Sequence, residues 1–171
     1  MHTRIEALDA PTDRDVAELA TLLVATVEDG ASVGFLLPMS REEAEVWWRE
    51  VLLDPFTRTW VGRSAEGSIV GCVRLTRARK PNSRHRGEIS KLMVAPVARR
   101  QGLATRLMDT AEAAAWSLGL RLVLLDTETD SPAQPFYAAR GWAVVGVIED
   151  YAATPYGDPA PTTIMELRRP R

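Results

Sequence analysis

The stretch from Val94 to Leu107, Val-Ala-Pro-Val-Ala-Arg-Arg-Gln-Gly-Leu-Ala-Thr-Arg-Leu, carries the most specific chemical pattern in the chain. An apolar strand runs out through Pro96 and the arginines Arg99 and Arg100 into an amphipathic helix that starts near Gly102. The first turn of that helix, around Leu103, Ala104 and Thr105, presents backbone N–H groups with no intrahelical acceptor, where the macrodipole also favours negative charge. Gly102 and Ala104 are small enough for a pyrophosphate to approach the main chain closely. Together with Gln101 these residues read as an anion cradle. The bland alternative is a strand-to-helix turn with surface arginines. The cradle reading draws its weight from position, directly between a strand pattern and a helix pattern.

Other reactive side chains are few. Cys72 is the single cysteine, so no internal disulfide and no cysteine-based metal cluster can form, and no metal site is expected. It lies inside a strand pattern with no histidine near it in sequence, which suits a small buried side chain better than a nucleophile. His85 sits in the basic loop Ala78 to Arg86 and reads as solvated. With 171 residues, 46% hydrophobic and 26% charged, the expectation is one domain over residues 1–171 with a sizeable core. A formal charge of −2 gives no electrostatic case for nucleic acid. No apolar run is long enough for a membrane, the start Met1-His2-Thr3-Arg4 lacks the apolar core of a signal peptide, and cytoplasm is the default expectation.

The elements that must position the cradle can be taken in order. Arg4 to Leu8 is a strand candidate, and Val16, Leu19, Ala20, Leu23, Val24 and Val27 form a helical stripe through Asp13 to Glu28. Ser40-Arg41-Glu42-Glu43 is a capping box opening a helix that should stop at Asp54-Pro55. Arg58 to Arg63 and Ser68 to Thr76 read as a hairpin through Ser64 to Gly67. Gly87 to Ala95 is the strand that feeds the cradle, followed by a helix to Leu118 and an apolar strand Leu120 to Leu125. Ser131, as N-cap, and Pro132 open a short helix ending at Gly141. Strands Trp142 to Glu149 and Thr162 to Arg168 flank a Pro-rich loop, Asp150 to Pro161, long enough for a lid. The order describes an α/β or α+β sandwich, one mixed sheet covered by helices.

Two motifs in succession resemble those of the GNAT superfamily of N-acyltransferases. Leu92-Met93-Val94-Ala95-Pro96 before Arg99 to Ala104 resembles its cofactor motif, and Ala133 to Trp142, with Tyr137 and Gly141-Trp142, its second motif. Many relatives have Asn where this chain has Asp130. Glu28 to Phe35, Gly87 to Leu92, Asp126-Thr127 and the Pro-rich tail are similar to the tabtoxin-resistance type, which acetylates an amino-acid-like β-lactam toxin. The resemblance implies a mostly antiparallel seven-stranded sheet with helices on both faces and a splayed central strand pair. It also implies acetyl-CoA as acetyl donor, with CoA as product, held by Leu92, Met93 and Val94 and by residues 99 to 105.

Transfer to an amine requires removal of a proton from the ammonium, stabilisation of an oxyanion and a proton for the thiolate. The resemblance gives Glu88 the role of general base, the alternative being a carboxylate paired with an arginine such as Arg74. Asp126 is the second candidate base, or a cap for the loop after its strand. Tyr137 is the candidate acid, with a backbone N–H in Leu92 to Val94 as oxyanion donor. The expected acceptor is the primary amine of a small molecule, with a link to toxin or antibiotic resistance. A peptide N-terminus and a non-catalytic CoA-binding module are the alternatives. Exposed strand edges and Trp-rich helices leave a homodimer open.

Overall fold

A computed structural model describes residues 3–170. Strand β1 (Arg4–Ala7) precedes helices α1 (Asp13–Glu28) and α2 (Arg41–Val51), then β2 (Thr57–Arg63), β3 (Ile69–Arg77) and β4 (Arg86–Val94). Helix α3 (Leu103–Ser117), β5 (Leu122–Glu128), α4 (Ala133–Ala139), β6 (Ala143–Ala153) and β7 (Pro159–Arg168) complete the chain. The strands form one sheet in the order β1-β2-β3-β4-β5-β7-β6. Only the β4–β5 pair is parallel, as a crossover through α3 requires. Helices α1 and α2 cover one face, over Val61, Ile69, Cys72 and Met93. Helix α3 covers the other, over Val73, Leu75, Ile89, Val123 and Leu125, and Tyr137 of α4 joins that cluster.

Local chemistry accounts for the helix starts. Thr12 with Asp15, and Ser40 with Glu43, form reciprocal capping boxes on α1 and α2. Arg63 on β2 then ties Glu6 of β1 to Asp15 of α1. The start of α3 is placed by packing instead. Gly62 and Gly71 pair with each other across β2 and β3 and leave a notch for Leu103. A Cβ at Gly62 would meet Leu103 at 2.8 Å, and one at Gly71 would meet Leu103 and the Met93 carbonyl at 3.0 Å.

Two irregularities shape β4. Its pairing with β5 covers only Arg86↔Leu122, Gly87↔Val123 and Glu88↔Leu124, after which β5 follows β7 and the two strands part. On its other side Cys72 pairs with Met93 and Arg74 with Ser90, so Lys91 and Leu92 together face Val73 in a bulge. Lys91 takes the strain with φ 52°, and its carbonyl accepts the Cys72 thiol at 3.3 Å.

Three expectations need correction. The Pro-rich segment is not a loose lid, because β6 and β7 continue through it to a tight turn at Thr154–Asp158, where the Thr154 N–H donates to the Asp158 carbonyl at 2.8 Å. Prolines fit there because a proline carbonyl still accepts, as Pro161 does from the Thr129 N–H at 3.0 Å. The turn is also latched, by the Leu37 N–H donating to the Pro155 carbonyl at 2.8 Å. Ser131 is not the cap of α4. Pro132 holds that position, and the Ser131 hydroxyl bonds to Thr127 at 3.1 Å instead. Strand β5 starts at Leu122, two residues later than its apolar run, because the Leu120 N–H closes the end of α3 on the Ala115 carbonyl at 3.1 Å.

No helix among the described residues is long and apolar enough to cross a membrane, and no group of His, Cys, Asp and Glu there could hold a metal ion. The glycine notch predicts that Gly71→Val, which drives a branched side chain into Leu103 and the Met93 carbonyl, will cost about 1–3 kcal/mol of stability by urea denaturation. Unchanged stability would show that the notch does not set the position of α3.

Candidate active site

The loop from Pro96 to Gly102 builds an open helix N-terminus. A single 3-10 turn at Pro96–Ala98 is followed by Arg100 at φ 59° and Gly102 at φ 72°, left-handed conformations that turn the N–H groups inward. Gly102 is the N-cap of α3, no side chain caps the helix, and a Cβ there would meet nothing within 4 Å. Where α1 and α2 satisfy their first N–H groups internally, α3 leaves Leu103, Ala104 and Thr105 to an outside acceptor. The arginines divide their work. Arg99 pairs with Asp29 at 2.6 Å and donates to the Val94 carbonyl at 3.2 Å, which ties the loop to the end of α1. Arg100 and Arg106 are exposed, and Arg106 holds the Thr3 carbonyl at 2.7 Å. The Gln101 side chain closes on the Val97 carbonyl at 3.1 Å.

The gap between β4 and β5 leads into this cradle. The Ala95 N–H donates to the Val70 carbonyl at 2.9 Å, so by antiparallel alternation the N–H and C=O of Val94 point away from β3 and into the gap. From Ile89 to Val94 this edge of β4 has no strand partner. An extended amide-bearing chain can complete it by strand addition. Cradle and gap together could hold a phosphate-bearing chain, Leu92 to Val94 offering an edge to an extended amide-bearing arm and Gly102 to Thr105 an open helix end to phosphates.

Both candidate bases stand where the strands part. Glu88 is in register with Leu124, and Asp126 lies two residues further along β5, so both project from the face that α1 and α2 cover elsewhere. Glu88 is exposed at the mouth of the gap, yet partial burial of its carboxylate, and secondarily the Asp126 charge, raise it above the ordinary carboxylate range. The pairing of Glu88 with Arg74 left open by the sequence is not made: Arg74 Nη2 donates to the Val51 carbonyl at 2.8 Å. Tyr137 is buried between the Phe136 and Trp142 rings, with centroids at 5.4 and 6.2 Å. Burial first, then Asp126, pushes its phenol up to about 12, so it keeps its proton near neutrality. Its position is braced from α3, since Glu112 accepts from Trp142 Nε1 at 3.0 Å and from Arg140 Nη2 at 3.0 Å. Cys72 is buried, and its thiol is likewise pushed up to about 12 by burial.

Residues beyond the sequence-derived candidates also line the site. Lys91 Nζ lies 5.4 Å from the Trp47 ring and 5.6 Å from Phe35, and Arg74 lies 5.6 Å from Trp47. The signal for Lys91 was present in Ser90-Lys91, two successive polar residues that break the alternation of β4 and mark a bulge. Arg74 gave no such signal.

The model of the acetyltransferase (GNAT) family matches residues 20–142. An uncharacterized N-acetyltransferase from the hisH-hisA intergenic region of Azospirillum brasilense is 32% identical over 141 residues, covering 81% of this chain and 83% of that protein. The fold is similar to an N-acetyltransferase of Staphylococcus aureus Mu50, with TM-score 0.82 at 16% identity over 98% and 99% of the two chains. It is also similar to a Salmonella typhimurium acetyltransferase solved with its cofactor acetyl-CoA, with TM-score 0.79 at 17% identity over 100% and 96%. If α3 holds the pyrophosphate, Gly102→Asp places a carboxylate in open space against it, so calorimetry should show acetyl-CoA binding lost in a variant that still folds. Undiminished affinity would remove the cradle from the site. With the family model matched across most of the chain and a relative 32% identical, this protein belongs to the acetyltransferase (GNAT) family of acetyl-CoA-dependent N-acetyltransferases.

Proposed function

We propose that the chain acetylates the primary amine of a small, amino-acid-like molecule by direct attack, with Glu88 as general base and Tyr137 as proton donor. Acetyl-CoA, when bound, supplies the activated acetyl thioester. The observation that carries this reading is the placement of Glu88 at the last paired residue of β4, facing Asp126 where the strands part. A carboxylate raised in this way is a stronger base than an ordinary one, which suits removal of a proton from an ammonium group, directly or through water. The Tyr137 hydroxyl keeps its proton over the same pH range and can return one to a thiolate. The unpaired N–H of Val94 can donate to an oxygen that gains negative charge. Cys72 offers no competing nucleophile, because its buried thiol does not ionise near neutrality. The similarity to the tabtoxin-resistance type favours an amino-acid-like acceptor, and a role in toxin resistance follows from that reading.

The pH dependence tests the assignment. Glu88 is competent only when ionised, so turnover should rise with pH through its raised folded value, an acid limb above the ordinary carboxylate range. Asp126→Asn removes the second cause of that rise and should move the limb to lower pH with turnover retained. Glu88→Gln should lose turnover near neutrality by about 10²–10⁴-fold, partly recovered at alkaline pH where the free amine forms unaided. Because the raised value means that ionising Glu88 disfavours the fold above it, Glu88→Gln should keep or raise the melting temperature at neutral pH. Loss of activity in Asp126→Asn alone would move the base to Asp126, and a lowered melting temperature with normal turnover in Glu88→Gln would make Glu88 structural.

A further inference from the structure

Proton transfer leaves two cations beside the site without a function. Arg74 is 7% exposed, and its Nε is buried with no hydrogen-bond partner. Val51 takes one Nη, and the guanidinium lies over Trp47 and Trp48 at 5.6 and 5.8 Å. The indole N–H of Trp48 in the same stack is also buried without an acceptor. Lys91, at the β4 bulge, lies near the same Trp47 ring, so the two cations share it at 5.6 and 5.4 Å. Among the described residues neither Arg74 nor Lys91 has an ion-pair partner. Asp54, the acid that acts on Arg74, is already committed to the Phe56 N–H, the Thr57 hydroxyl and Arg79.

Two neighbouring cations with a buried unsatisfied donor are costly unless an anion arrives. Burial and then Arg74 pull Lys91 below the ordinary lysine value even though the Asp126 and Glu88 charges oppose that pull, so the two nearby carboxylates do not make up for the buried cation pair. The pair is next to the base. Arg74 is in register with Ser90, and two residues along the same strands Thr76 is in register with Glu88. Arg74 also borders a cavity of ≈440 Å³, walled besides by Val51, Asp54, Thr57, Thr76 and Arg79.

We propose that Arg74 and Lys91 are the specificity-determining pair that recognises a carboxylate on the acceptor, so that the substrate is an amine carrying an anionic group and not an uncharged amine. This rests on the small-molecule reading above and narrows it. The ammonium lies toward Glu88 and Asp126, the carboxylate toward Arg74 and Lys91, and the fixed strand spacing sets which amine is presented for transfer. An acceptor lacking the carboxylate leaves the buried cations unpaired, which is the arrangement that discriminates most strongly between otherwise similar substrates.

The test joins a binding readout to turnover. Titration with N-acetylglycine at constant ionic strength should give a saturable change in tryptophan fluorescence, since Trp47 and Trp48 border the pair. That change should be lost in Arg74→Gln and in Lys91→Met but kept in Arg58→Gln, a control at an exposed arginine on β2. In thiol-release assays with free amino acids and their carboxamides, the acids should be preferred by at least about 10²-fold in kcat/KM. Either variant should reduce that preference below about tenfold while KM for acetyl-CoA stays unchanged. Equal turnover of acids and carboxamides by the unsubstituted protein, or a fluorescence response that survives both substitutions, overturns the pair. A response dependent on Arg74 without turnover of any amine contradicts the small-molecule acceptor and leaves the pair standing. No response in either arm overturns the pair.

Discussion

Strand β4 loses its neighbour after Glu88 although it lies in the middle of the sheet. Backbone N–H and C=O groups away from water need partners, so an interior strand edge without one is an invitation to an extended ligand. Topology places a helix start beside the parting. A parallel pair requires a crossover, the crossover is α3, and its first turn must therefore start near the end of β4. The Gly62/Gly71 notch sets that turn by taking Leu103, and Gly102 leaves its N–H groups open. Cradle and gap are thus consecutive parts of one chain segment, and a ligand with a phosphate end and an amide-bearing arm meets both.

The same parting concentrates charge. Glu88 and Asp126 come together because their strands diverge just beyond their shared register, and Lys91 enters from the bulge that the divergence accompanies. Each group then acts on the others. Asp126 raises Glu88 and Tyr137, and Arg74 lowers Lys91. Two acids where the strands part and two cations around Trp47 give the site charges of both signs, which a zwitterionic acceptor would match. Cys72, by contrast, is kept neutral by burial and spends its thiol on the Lys91 carbonyl, so it supports the bulge.

Much of the scaffold could be read from residue order. The boundaries of α1 agree with the apolar stripe, and the Ser40–Glu43 box is made as the residue types suggest. Strands β2 and β3 with their short connection were equally visible, since alternation and a glycine turn are local properties. What escaped was decided by contacts distant in sequence. Ser131 has the chemistry of a cap but meets Thr127 across the loop. The Pro-rich segment has the composition of a loop but gains a partner strand and a latch to Leu37. The pairing of Arg99 with Asp29, at the end of α1, likewise could not be read from residue order. The roles of Arg74 and Lys91 depend on Phe35, Trp47 and Trp48, which reach them only when α2 lies over the sheet.

The central claim is that one ligand completes the β4 edge and the open end of α3 together. Hydrogen–deuterium exchange with and without CoA tests it most directly, because the Val94 N–H on β4 and those of Leu103, Ala104 and Thr105 on α3 are left open in the free protein. Protection should appear at once at Val94 and at Leu103, Ala104 and Thr105 and leave the capped starts of α1 and α2 unchanged. Protection confined to one of the two segments, or found only elsewhere, would contradict the account.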